Sequence, residues 1–215
     1  MINPQSDNAL RHFLPFSRVI RGAFAIGSFW DEIFLLPDLT LPDLSLVIGG
    51  ARSGKSGLAE RLVTGTGRPR RYIATAEAWD DEMRARIAAH RADRGAGWET
   101  VEAPLDLPAA LAGAGQGEVV LIDCATLWLT NHLLAEHDLD AEATALLAAL
   151  AACRAPVVIV SNEVGWGIVP DNALARRFRD AQGRLNQRLA GQAGLVIGVM
   201  AGLPMVLKGR LPAWM

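Results

Sequence analysis

The sequence predicts a three-layer α/β domain on a mostly parallel sheet, and three observations carry that prediction. From Ser45 onward, short β-branched runs alternate with helical segments, as repeated βαβ units require. The runs Leu46-Val47-Ile48, Tyr72 to Ala74, Val119 to Ile122, Val157 to Val160 and Leu195 to Val199 are continuously apolar rather than alternating. Strands with that pattern are covered on both faces. Finally, the first run leads through a Gly-rich turn straight into a helical pattern.

Residues 1–44 stand apart from this scheme. They carry scattered aromatics (Phe13, Phe16, Phe24, Phe29, Trp30), Pro37, Pro42 and two Leu-Pro-Asp repeats, with no sustained period. They read as a flexible extension, a packing arm, or residues upstream of the true start. Residues 45–215 read as one domain. Its first helix, near Gly54 to Val63, sets Leu58, Ala59, Leu62 and Val63 on one face, with Gly65 placed to stop it. Further helices are expected over Asp81 to Arg94, Ala141 to Ala152 and Leu174 to Ala190. Ala193 to Leu207 is apolar but contains Pro204 and is shorter than the roughly 18 residues a membrane span needs. It reads as a buried strand and turn.

The composition, 51% hydrophobic with a net charge of −2 over 215 residues, is that of a folding chain and excludes a broad basic field for nucleic acid or an anionic membrane. Phosphate binding must therefore be local. Cys124 and Cys153 match neither a zinc-site spacing nor a disulfide framework. Both are expected as buried thiols, in a soluble cytoplasmic protein with no membrane span.

Local phosphate binding is what Gly49-Gly50-Ala51-Arg52-Ser53-Gly54-Lys55-Ser56 offers, a match to G-x-x-x-x-G-K-[ST] between a strand and a helix. Its glycines let backbone N–H groups and the helix N-terminus face phosphate oxygens. Lys55 supplies a mobile cation, and the Ser56 hydroxyl can ligate Mg²⁺. Such a loop needs an acid at the end of another strand, and Val119-Val120-Leu121-Ile122-Asp123 supplies one. Ser56 and Asp123 are thus the expected metal-side residues.

Further segments fall in one order: Tyr72-Ile73-Ala74-Thr75, Asp81-Glu82-Met83, Arg86-Ile87, His90, Trp98-Glu99-Thr100, Asp123-Cys124, Asn131, Ser161-Asn162-Glu163-Val164-Gly165, Val169-Pro170, Phe178-Arg179-Asp180 and Asn186-Gln187. With the Gly49 to Ser56 loop, they resemble the bifunctional adenosylcobinamide kinase and adenosylcobinamide-phosphate guanylyltransferase family over roughly Leu46 to Gly209. Residues 1–44 fall outside the resemblance, since that family begins close to its first strand.

The resemblance implies a RecA-like P-loop domain in a homotrimer, with ATP, GTP and Mg²⁺ used on adenosylcobinamide and its phosphate. It implies that His90 attacks the α-phosphorus of GTP and carries GMP. The residues permit this, because a neutral imidazole is abundant near pH 7. Met83, Ile87, His90 and Arg94 share one stripe, which would equally suit a histidine at the edge of a core.

Looser nucleotide contacts are implied for Thr75, Ala76 and Glu77 after the second strand, for Arg91, Ala92, Asp93 and Arg94 after the histidine, and for Glu102 and Asp123. A carboxylate among these would suit guanine, accepting from its ring N–H and amine together. His12, His132 and His137 have no comparable setting and read as ordinary surface or core histidines. Arg176 and Asp180 are spaced to pair at i, i+4 on a polar helix whose role in subunit packing or corrinoid holding is a hypothesis. Taken alone, the loop and Asp123 equally fit a P-loop small-molecule kinase or a nucleotide-binding module without chemistry. The kinase reading would leave His90 and Ser161 to Gly165 unexplained.

Overall fold

The computed structural model describes residues 41–77, 81, 84, 88, 92 and 94–215, all within a compact unit spanning Asp38–Met215. Among the described residues, these continuous elements follow in chain order: β1 (Leu44–Gly49), α1 (Lys55–Thr64), β2 (Arg70–Ala74), β3 (Trp98–Glu102), α2 (Leu107–Ala112), β4 (Val119–Asp123), α3 (Ala125–Leu134), α4 (Leu139–Ala152), β5 (Val157–Asn162), α5 (Ala173–Gln192), β6 (Leu195–Met200) and β7 (Leu203–Lys208). Between β2 and β3, the described residues Asp81, Arg84, Ala88, Ala92 and Arg94 are helical, as the pattern predicts.

The sheet runs β3-β2-β4-β5-β1-β6-β7. All neighbours are parallel except the β6–β7 hairpin. Successive strand residues point to opposite faces, and the core divides accordingly. Leu44, Leu46, Val120, Ile122, Val157 and Ile159 pack with α2 to α5 on one side. Val47, Val119, Leu121, Val158 and Val160 pack with Leu58 and Leu62 of α1 on the other. These are the three layers of the predicted fold. Full burial of Leu58, Leu62 and Val63, at about 1.5–3 kcal/mol each, fixes α1 against the sheet.

Five strands lie where the apolar runs put them. Both edge strands, β3 and β7, are not legible as elements, because an edge strand need not be apolar on both faces; the helices α2 and α3 are likewise not among the expected elements. The expected burial of Ala193 to Leu207 holds only for its first half. β7 is exposed throughout, with Leu203 and Leu207 more than half exposed. Among the described residues, no helix is long and apolar enough to cross a membrane.

Because β1 to β6 are parallel, Gly49, Ala74, Glu102, Asp123 and Asn162 all lie at the same, carboxyl-terminal edge of the sheet. One strand, β5, separates β1 from β4, the RecA-like arrangement in which the phosphate loop and the acid-bearing strand flank a third.

Candidate functional site

The loop after β1 is shaped by two residues in left-handed conformations, Arg52 at φ 55° and Gly54 at φ 93°. α1 therefore starts with no side chain capping its N-terminus. By contrast, Asp106, Asp138 and Asn172 each cap their helix through a side-chain oxygen. An uncapped first turn leaves backbone N–H groups and the positive end of the helix dipole for an anion.

Lys55 Nζ donates to the Gly50 carbonyl at 3.1 Å, so the ammonium lies across the loop's mouth. Ser53 Oγ is buried and has no hydrogen-bond partner among the described residues. The β6–β7 turn braces the loop from behind. The Gly202 amide donates to the Ser53 carbonyl at 2.8 Å, and a Cβ on Gly54 would approach Gly202 Cα to 3.2 Å.

Asp123 pairs in register with Ala74 on β2 and Val160 on β5. It joins Cys124 through a cis peptide bond. The Thr75 hydroxyl fixes this corner, donating to the Cys124 carbonyl at 2.8 Å and accepting from the Cys124 amide at 2.7 Å. Asn131 on α3 donates from Nδ2 to the carbonyls of Thr75 and Pro104, both at 2.9 Å. Burial, with the Asp123 charge adding, pushes the Cys124 thiol up to about 11, and Lys55 pulls the other way. The loop's ammonium and the end of β4 therefore share one electrostatic field. Burial first and Asp123 second also raise Tyr72 well above the usual phenol range.

Between these two strands, the end of β5 supplies residues of the Ser161 to Gly165 segment, which carries the resemblance but to which the sequence assigns no role. Asn162 is in register with Gly49. Its amide donates to Thr126 Oγ1 at 2.8 Å and its carbonyl accepts from Asn186 Nδ2 at 3.0 Å, yet its Oδ1 is buried and unpartnered among the described residues. The next residue, Glu163, donates its amide to the Gly49 carbonyl at 3.1 Å. Beneath them Ser161, Gln182 and Asn186 form a buried hydrogen-bonded cluster. The signal for Asn162 was present as a polar residue ending an apolar strand, the same signal that singled out Asp123.

The remaining candidates divide. Ala76 and Glu77 follow β2 half-buried, and Glu102 is exposed at the end of β3, in register with Ala74. Ala92 is exposed on its helix. Arg94 lies over the Tyr72 ring at 3.4 Å and flanks Trp98 at 5.9 Å, an aromatic setting that charge spacing did not suggest. His90, Arg91 and Asp93 lie outside the described residues, as does His12.

Two expectations change. Arg176 donates to the carbonyls of Pro170 and Asp171 rather than pairing with Asp180, which binds Arg179 instead. Cys153 is only half-buried, unlike Cys124. His132 is buried and His137 exposed, a core and a surface histidine as expected, and their Nδ1 atoms lie 2.9 Å apart.

Residues 45–207 match the family model described as cobinamide kinase / cobinamide phosphate guanyltransferase. The chain is similar to the bifunctional adenosylcobalamin biosynthesis protein CobP of Pseudomonas aeruginosa, with 50% identity over 77% of this chain and 97% of that protein. It is also similar to the proteins of that description named CobU in Escherichia coli and Salmonella typhimurium, each with 44% identity over 76% of this chain and 98% of its relative. Among solved structures it resembles the RadB recombinase (16% identical, TM-score 0.49, 80% of this chain and 84% of that one). It also resembles the flagellar accessory protein FlaH of Methanocaldococcus jannaschii (13% identical, TM-score 0.44, 78% of each chain). The fold assignment rests on the strand order itself. With the match spanning the sheet from β1 into β7, the chain belongs to the cobinamide kinase / cobinamide phosphate guanyltransferase family.

Proposed function

We propose that this chain performs both reactions of its family: phosphorylation of adenosylcobinamide by ATP or GTP, then transfer of GMP from GTP to give adenosylcobinamide-GDP. The observation that carries the reading is near-full-length similarity to relatives named as bifunctional, in a chain whose phosphate loop is intact and opens on the edge that holds Asp123.

In the kinase step, the α1 N-terminal amides and Lys55 hold the donor's phosphates and stabilise charge on the transferred group. Ser56 and Asp123 offer a hydroxyl and a carboxylate, hard oxygen donors that suit Mg²⁺. Bound there, the cation would neutralise charge on the phosphoryl oxygens. Asn162, with its unpartnered Oδ1 between the loop and β4, is suited to orient the acceptor hydroxyl or a phosphate oxygen.

In the second step, a ring nitrogen of His90 attacks the α-phosphorus of GTP and pyrophosphate leaves. An oxygen of adenosylcobinamide phosphate then attacks the phosphorus of the histidine adduct, releasing the imidazole and forming the diphosphate bond. Glu77 and Glu102 are the carboxylates suited to reading guanine; Thr75 and Ala76, with Arg91, Ala92, Asp93 and Arg94, complete the proposed nucleotide surround. The chain is read as a cytoplasmic homotrimer, with the exposed apolar strand β7 as the surface most in need of a partner. Light scattering giving three chains per particle checks this.

The test is incubation with Mg²⁺ and GTP labelled at the α-phosphate. Acid-labile, base-stable label on the 81–94 peptide, absent in His90→Ala, is the expected result. Nucleotide binding without label would leave a kinase or a binder.

A further inference from the structure

α3 ends in a turn that brings two imidazoles together. Its last residues run through Ala135 to Glu136, which adopts φ 58°. The Glu136 amide then donates to the Leu133 carbonyl at 3.2 Å and the His137 amide to the His132 carbonyl at 3.0 Å. This is the Schellman pattern, in which the residues at the two ends of the longer bond meet side by side. An apolar pair is usual there. Here the pair is His132, buried on α3, and His137, exposed in the turn, with Nδ1 atoms 2.9 Å apart.

The third member comes from α4. Glu142, in its first turn, holds Oε2 at 3.8 Å from His132 Nδ1 and Oε1 at 4.0 Å from His137 Nδ1. Those separations are too long for hydrogen bonds, so the carboxylate straddles the imidazole pair without bonding either. One ligand atom from each of the three side chains lies within 4.8 Å of the other two.

The tautomer of His132 is settled by its other nitrogen. Nε2 lies 3.2 Å from the Leu105 carbonyl, which can only accept, so Nε2 carries the hydrogen and Nδ1 presents a lone pair towards His137 and Glu142. A backbone carbonyl that fixes a histidine in this way is the usual outer partner of a metal-bound imidazole. Trp128 donates to the same carbonyl at 2.8 Å and packs edge-on to the His132 ring, which holds the ring's plane.

We propose that His132, His137 and Glu142 form a binding site for a divalent transition-metal ion of the zinc class. Two imidazoles and one carboxylate are donors that suit zinc, with a fourth tetrahedral position left to solvent. Bonds of about 2.0–2.1 Å place tetrahedral nitrogens about 3.3 Å apart, so the pair needs to open by only a few tenths of an ångström. His137, on an exposed turn, is free to make that movement. The site is distinct from the phosphate loop. Asp123 precedes the start of α3 and His132 lies in its last turn, seven residues and about 10 Å at the helical rise from Ala125, and the ion would tie the end of α3 to the start of α4.

The experiment uses the full chain, freed of metal by a chelator and titrated with Zn²⁺ by calorimetry and with Co²⁺ by visible absorption. One equivalent of Zn²⁺ should bind with micromolar or tighter affinity, and Co²⁺ should give an absorption band of a low-coordinate, nitrogen-ligated ion. His137→Asn and Glu142→Gln, both at exposed or half-exposed side chains, should each weaken Zn²⁺ at least tenfold and remove the band. His12→Asn should leave both unchanged. Absence of binding below about 100 µM overturns the proposal, as does any pattern in which the His137 and Glu142 variants do not both weaken the ion.

Discussion

The N-termini of α1 and α5 follow neighbouring strands of one sheet and are built on opposite plans. α5 is closed. Asn172 accepts from the Ala175 amide at 2.7 Å, and Arg176 reaches back to the Pro170 and Asp171 carbonyls. α1 has no such cap; Gly54 at φ 93° leads into it, and the Lys55 ammonium rests on the loop's own Gly50 carbonyl. A helix that only packs satisfies its orphan amides with a side chain. A helix that takes an anion leaves them open and obtains its rigidity elsewhere, here from the β6–β7 turn behind Gly54.

The strongest way to break that comparison is Lys55→Ala, expected to lower phosphoryl transfer by roughly 10²–10³-fold, as loss of one preorganised donor to developing charge does. The same variant should lose the rise in thermal midpoint that inorganic tripolyphosphate gives the parent chain. Gly54→Ala comes next. It forces a side chain into a left-handed conformation at about 1–2 kcal/mol and against Gly202, so nucleotide affinity should fall at least tenfold by calorimetry. Gly202→Ala separates the two causes. Its Cβ meets nothing within 4 Å, but its φ of 79° carries the same strain. About 1 kcal/mol of stability and a few-fold loss of affinity are expected, and unchanged affinity would mean that the turn does not brace the loop.

Asn172→Ala should cost about 1 kcal/mol in denaturant unfolding and leave nucleotide affinity alone, the converse of Lys55→Ala. The smallest effect concerns the cysteines. With its thiol pushed up to about 11 by burial, Cys124 should resist iodoacetamide at pH 8 in the native chain and react on unfolding. The half-buried Cys153 should react first.

The parts of this fold legible in the sequence are those buried on both faces. β1, β2, β4, β5 and β6 are each built on a continuous apolar run because helices cover the sheet twice over, and that covering dictates composition directly. The edges are different. β3 reads Trp-Glu-Thr-Val-Glu and β7 holds an internal proline; one-sided or exposed strands tolerate such residues, so neither announced itself. At the site, the phosphate loop was legible because backbone geometry and charge demand particular residues at fixed spacing. Asn162 stands within a segment that carries the family resemblance, but the sequence assigns it no role, because an amide at a strand end has many ordinary uses; its position opposite Gly49, with an unpartnered oxygen, marks it out. Arg176 was misassigned because i, i+4 spacing cannot register the carbonyls that the preceding turn offers.

By itself, then, the sequence determined the layered α/β class, the phosphate loop at residues 49–56 and the acid that ends β4, because each follows from local periodicity or from the chemistry of contiguous residues. Tertiary structure decided the strand order that sets Asp123 and Gly49 on either side of Asn162, the turn that braces Gly54, and the meeting of His132, His137 and Glu142. Those depend on which elements pack together, a matter settled by burial across the whole sheet and by how one helix ends against the next.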